Sequence, residues 1–162
     1  MELLEQCQKW NENSEFQKII NILEAVPAGK RPPELDSELA RAYNNLAQPG
    51  DRGLFEKAIA LLEPHEEYFR GDHCWNFRMG YAWYYLDQEG PALRYFEQAL
   101  EARPGDEDTQ EYIDDCRHRL SLPRFEKTSG RGRGSRGPPF LRSRRSCVRS
   151  WILTKRTSAA KN

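Results

Sequence analysis

Phe55-Glu-Lys-Ala-Ile-Ala-Leu-Leu-Glu-Pro64 and Glu89-Gly-Pro-Ala-Leu-Arg-Tyr-Phe-Glu-Gln98 align without a gap at a spacing of 34 residues. Ala58 pairs with Ala92, Ile59 with Leu93, and Leu62 with Phe96. Small and large apolar residues therefore recur together at one fixed period. A period of this length marks stacked supersecondary units, each too small to bury its own apolar face.

The second unit is the more complete. Gly80, Ala92 and Ala99 are small residues at spacings that suit close approach of two helices and of the next unit, where bulk would be excluded. Pro104 ends the second helix because it has no amide donor. With Trp83, Phe96 and Met79 also in register, this segment resembles a tetratricopeptide repeat. One departure is Asn76 at the usual Trp slot, with Trp75 one place early. The resemblance implies an all-α right-handed superhelix of about three helix–turn–helix repeats and a capping helix. It also implies a concave groove that binds another polypeptide.

The flanking units follow the pattern more loosely. Leu39, Ala40 and Tyr43 match the Leu-Gly-x-x-Tyr triplet, but their distance to Ala58 is six residues too long. That excess places an insertion in the turn-rich Gln48-Pro-Gly-Asp-Arg-Gly53. His65 occupies a slot that favours a small residue, which predicts looser packing there. Leu3, Cys7 and Trp10 read as the Trp, Gly and Tyr slots of a degenerate first repeat. Phe16, Ile19 and Leu23 then repeat the spacing of Phe55, Ala58 and Leu62.

The pattern predicts seven helices, at roughly 2–10, 14–26, 34–47, 53–63, 73–87, 90–102 and 106–121. Asn13, Asp72 and Asp106 are expected N-caps, because each side chain can accept a bond from a first-turn amide. Pro27-Ala-Gly-Lys-Arg-Pro-Pro33 separates the first two units. Tyr112, Ile113, Cys116 and Leu120 form one stripe on a last helix that is otherwise charged, as an end cap needs.

Charge divides the chain at Thr128. All 25 acidic residues and 15 of the 25 basic ones lie at or before it, a formal −10, while residues 129–162 hold ten Lys and Arg and no acid. The reading is a tetratricopeptide domain over 1–128 and a basic, disordered tail over 129–162. Arg131-Gly-Arg-Gly-Ser-Arg136 resembles Arg-Gly-rich segments that bind RNA through phosphates and stacking, so a nucleic-acid-associated adaptor is the alternative function. The tail also reads as non-specific disorder, or as a reading-frame artefact. Arg142-Ser-Arg-Arg-Ser-Cys147, written in GC-rich codons and read two bases later, becomes Glu-Gln-Glu-Glu-Leu.

Helix 73–87 carries Trp75, Phe77, Tyr81, Trp83, Tyr84 and Tyr85, more aromatics than one face can hold. The resemblance implies that Met79, Gly80 and Trp83 face the partner helix. Phe77, Tyr81 and Tyr84 form a second stripe at i, i+4, i+7. The resemblance places that stripe in the concave groove with Ser37, Arg41 and Asn44, and with Leu4, Gln8 and Asn11 further along. Two readings stand: an exposed, half-wet binding surface, or a core covered by another element. Tetratricopeptide proteins that clamp a terminal carboxylate use a Lys and Asn pair. Ser37, Arg41 and Arg78 hold those positions here, and the Lys is missing.

Nothing in the sequence points to catalysis, a cofactor or a small-molecule substrate. His73-Cys74 and Cys116-Arg-His118 lack a second pair at zinc spacing and read as surface histidine beside buried cysteine. Glu66-Glu67, Asp106-Glu-Asp108 and Asp114-Asp115 read as solvated helix faces. The four cysteines show no disulfide spacing, which suits a reducing, cytoplasmic setting. The amino end lacks the pattern of a signal peptide, and no apolar run is long enough to span a bilayer. The expected role is a protein–protein interaction module for a peptide or a neighbouring domain.

Overall fold

Gly80 sets a tight joint between two helices. A Cβ there would stand 2.8 Å from the Phe96 ring, so only glycine lets helix α5 (His73–Tyr85) approach helix α6 (Glu89–Ala102) this closely. Ala92, Phe96 and Ala99 on α6 are fully buried beside it. The structure is a computed structural model that describes residues 2–122, and all regular structure among them is helical. Five further helices complete it: α1 (Leu3–Glu12), α2 (Phe16–Glu24), α3 (Pro33–Leu46), α4 (Arg52–Leu62) and α7 (Glu107–Ser121). Short 3-10 turns follow at Ala28–Lys30 and Glu63–His65. Each helix ends within two residues of its sequence-based limit.

The helices stack as hairpins. The odd helices α1, α3 and α5 touch one another in chain order. Each even helix packs on its own hairpin partner and on the next odd helix. Met1–Ser121 form one compact unit, an all-α repeat fold. Residues 123–162 lie outside the described residues, and with them the expectations for the tail and for the end of the domain at Thr128.

The first hairpin is a true copy of the third in its turn. Ser14 and Asp87 both adopt left-handed backbone, at φ 61° and 59°. The next amide then closes the helix end in the same way: Glu15 donates to the Trp10 carbonyl at 2.8 Å, and Gln88 to that of Trp83 at 3.0 Å. This is the capping bond that satisfies a last-turn carbonyl. Trp10 is therefore the counterpart of Trp83, as the slot assignment requires.

The second hairpin accommodates its six extra residues in three places. One lengthens α3 past Tyr43, two lie in the 47–51 loop, and three extend α4 ahead of Ala58. Gly50, at φ 107°, turns that loop, and Asp51 accepts from the Gln48 amide at 2.8 Å. The insertion is thus mostly helix, not loop. Its first helical residue, Arg52, reaches the Leu86 carbonyl at 3.4 Å and supplies a cation at the C-terminus of α5.

Side chains pin the joints between hairpins. Arg31 donates to the Leu23 and Val26 carbonyls at the end of α2 and to Asp36 at 2.5 Å. Asp36 also meets His65 at 2.9 Å, so the His65 slot is filled by a polar contact between α3 and the end of α4. Trp75 is buried and donates its indole N–H to the Leu62 carbonyl at 3.2 Å, which accounts for its displaced place in the pattern. Asp72 and Asp106, one period apart, cap α5 and α7 by accepting from the Trp75 and Thr109 amides at 2.7 and 3.1 Å.

Three expectations need correction. Asn13 is the last residue of the α1 turn, and Glu15 holds the N-cap place of α2 without a side-chain bond, because the left-handed turn at Ser14 shifts the helix start. Leu120 is exposed, and Thr109 takes its place in the buried stripe of α7. His73 is buried, its Nδ1–H donating to the Ala99 carbonyl at 3.0 Å, so it is no surface histidine.

Candidate functional site

The odd helices bring together a buried polar row. Glu38 on α3 is its centre, 6% exposed. Arg78 of α5 donates to Glu38 Oε1 at 2.8 Å, Asn11 of α1 to Oε2 at 2.7 Å, and Arg41 to Oε2 at 3.5 Å. Arg78 also donates to the carbonyl of Ser37 at 3.1 Å and to its hydroxyl, while Asn44 donates to the Arg78 carbonyl at 3.1 Å. Three helices thus share one set of charge-assisted bonds.

Electrostatics keeps Glu38 ionised. Burial pushes its carboxyl up, but the neighbouring Arg78 and Arg41 guanidiniums and their hydrogen bonds outweigh that and hold it below the usual value. Arg78 occupies the same repeat slot on α5 that Glu38 occupies on α3, so opposite charges stack at equivalent positions.

Ser37, Arg41 and Asn44 therefore do come together, as the groove reading placed them, but all three are buried. Asn11 belongs with them, whereas Leu4 and Gln8 are half-buried and outside the network. Two acceptors in the row have no donor, Asn11 Oδ1 and Asn44 Oδ1. Such orphaned buried atoms are uncommon and call for a cause.

The aromatic stripe is a different matter. Phe77 and Tyr84 are each 7% exposed, and Tyr81 is half-buried. Tyr112 of α7 sits among them, its ring centroid 5.8 Å from Phe77, 6.0 Å from Tyr81, 5.1 Å from Tyr84 and 4.8 Å from Phe96. The first three are edge-to-face and the Phe96 pair is stacked, and both arrangements stabilise beyond the area they bury. Phe77 and Tyr84 are therefore core, and the covering-element reading holds for them.

The Tyr84 hydroxyl ends the row in a second polar knot. It accepts from Arg119 at 2.7 Å and donates to Asp115 at 2.5 Å, and Arg119 also bonds Asp115 at 2.7 Å. Burial, then the Asp115 bond, pushes its pKa well up. Sequence reasoning missed Tyr112 and Glu38. Tyr112 was visible on the α7 stripe, and Glu38 was visible as the charge opposite Arg78 one repeat on.

Among the described residues no cluster of His, Cys, Asp or Glu has the makings of a metal site, and no helix is long and apolar enough to cross a membrane. Burial, with a smaller effect of the Glu38 charge, pushes the Cys7 thiol up to about 11. Burial, then Asp115, pushes Cys116 up to about 12.

No family model matches this chain, and no curated protein matches it. Among solved structures it is similar to a mutant form of MamA, at 19% identity over 77% of this chain and 87% of that one, with a TM-score of 0.34. That superposition is loose, and the repeat fold is carried by this chain's own helix order, turns and caps.

Proposed function

We propose that the chain is a protein-interaction module that binds a peptide segment, or an extended segment of a neighbouring domain, along the odd-helix row. The observation that supports this reading is the pair of unpartnered acceptors, Asn11 Oδ1 and Asn44 Oδ1, in one polar row. An extended peptide carries backbone N–H donors at regular spacing, which such acceptors recognise whatever the side chains are. A buried acceptor without a donor costs about 1–3 kcal/mol, and a partner that supplies the donor recovers it. Reaching these atoms requires side-chain movement in the row, with half-buried Tyr81 of α5 as the aromatic contact. The role is binding without chemistry, in keeping with thiols held protonated at neutral pH.

A library of unstructured peptides screened against the full chain, and against Asn11→Ala/Asn44→Ala, tests this. We expect peptide ligands of the parent to bind the double variant at least about tenfold more weakly. Equal binding by the two proteins, or no peptide ligand at all, refutes the proposed site.

A further inference from the structure

Two clefts on the α4–α7 side of the molecule are copies of each other, one repeat apart. The first, about 750 Å³, includes Glu63, Glu67, Gly71 and Asn76. The second, about 800 Å³, includes Glu97, Glu101, Gly105 and Gln110, each 34 residues later. They differ in one respect. The first cleft has a third wall, the end of α6, through Gln98, Glu101 and Ala102. Among the described residues, the second is bounded only by α6, α7 and the loop between them.

One repeat on from that wall the sequence reads Gly132, Ser135 and Arg136, within a run over 130–139 holding four glycines and two prolines. Glycine and proline have the lowest helix propensities. The floor of the second cleft is nevertheless apolar, built from Leu100, Pro104 and Ile113. Its rim is acidic. Glu101, Glu107 and Glu111 are exposed, and none forms an ion pair among the described residues.

We infer that the α6–α7 cleft docks an amphipathic helix of another protein, with an apolar stripe for Leu100, Pro104 and Ile113 and flanking Lys or Arg for the three carboxylates. The helix takes the place that α6 takes against α4 and α5. A helix in a groove is read through anchors at i, i+3, i+4 and i+7, and rim charges set partner choice and encounter rate. A second copy of the described domain fits poorly, because residues 1–128 carry a formal −10 and would bring acid to acid. This surface is separate from the odd-helix row and stands or falls without it.

The test uses the full chain and two synthetic helical peptides of about 18 residues, long enough to hold a helix when capped. Both carry the same Leu stripe. One has Arg and Lys flanks, the other Glu flanks. Fluorescence anisotropy should show the basic peptide binding at least about tenfold more tightly than the acidic one, with the difference shrinking as salt rises. Glu101→Lys/Glu107→Lys/Glu111→Lys should remove that preference, and Leu100→Asp should abolish binding, while Asn11→Ala/Asn44→Ala leaves it unchanged. The exposed glutamates ensure that the triple variant folds, which circular dichroism verifies. Equal binding of the two peptides, or binding that survives Leu100→Asp, overturns the inference. So does a dimer of the chain itself that dissociates on Leu100→Asp, which assigns the cleft to a second copy.

Discussion

Glu38 Oε1 and Arg78 Nη2 stand 2.8 Å apart across α3 and α5, and the two residues hold the same slot of successive repeats. Their contact makes the stacking of the hairpins sensitive to charge. Removing the carboxylate leaves the guanidiniums of Arg78 and Arg41 without it, and breaking a buried pair from one side costs about 3–5 kcal/mol. Glu38→Gln should lower unfolding stability in urea by an amount in that range. Glu38→Met/Arg78→Met should recover part of it, since the Arg78 charge is gone as well while Arg41 and the Asn11 amide still lack the carboxylate.

Acid should expose the same contact. Glu38 sits below its ordinary value of 4.5 in the fold, so its stabilisation is complete above that pH and is lost as pH falls through the folded value. Urea midpoints measured between pH 6 and pH 3 should therefore drop more steeply for the parent than for Glu38→Gln.

Gly80→Ala should destabilise by about 1–3 kcal/mol, the range for forcing a methyl into a packed core. The obstructing atoms belong to the buried Phe96 ring, 2.8 Å from the added Cβ. Thermal unfolding of Gly80→Ala/Phe96→Leu should show part of the loss restored, because the leucine side chain is narrower than the ring it replaces.

Ser14→Gly and Asp87→Gly should each raise stability by roughly 0.5 kcal/mol, because left-handed backbone costs L-residues energy that glycine avoids, less glycine's greater loss of chain entropy. Chemical denaturation of the two single variants and the pair checks this, and distant sites should add.

Cys7 and Cys116 should resist a thiol reagent at pH 8 in the native state. Both are fully buried, and burial pushes their thiols up to about 11 and about 12. Labelling resolved by mass spectrometry should follow global opening, so destabilising variants such as Gly80→Ala label faster at these two positions.

The hairpin order was legible because it rests on steric exclusion, and sterics leave a plain mark: Gly80, Ala92 and Ala99 recur where helices touch. The Ser14 turn was not legible, since a serine in left-handed backbone has no sequence signature, and Asn13 looked like the better cap. The candidate site was legible in part. Ser37, Arg41 and Asn44 were placed on one row by periodicity alone, but periodicity says which face a residue takes and not what covers it. For Phe77 and Tyr84 the choice between an open surface and a covered core stayed open for that reason. The ring that covers them, Tyr112, lies two helices further on, in α7.

Asp36 receives Arg31 from one side and His65 from the other. Mechanically this makes the first joint of the array a clamp rather than a hinge. Bending between the first two hairpins must separate Arg31 from Asp36, and bending between the next two must separate Arg78 from Glu38, so each joint opens only by parting a buried charged contact. A pull along the array should therefore meet resistance at both joints, and removing either pair should make its own joint the first to yield. Compliance of the chain is then a property of single residues at its joints, not of the repeat as such.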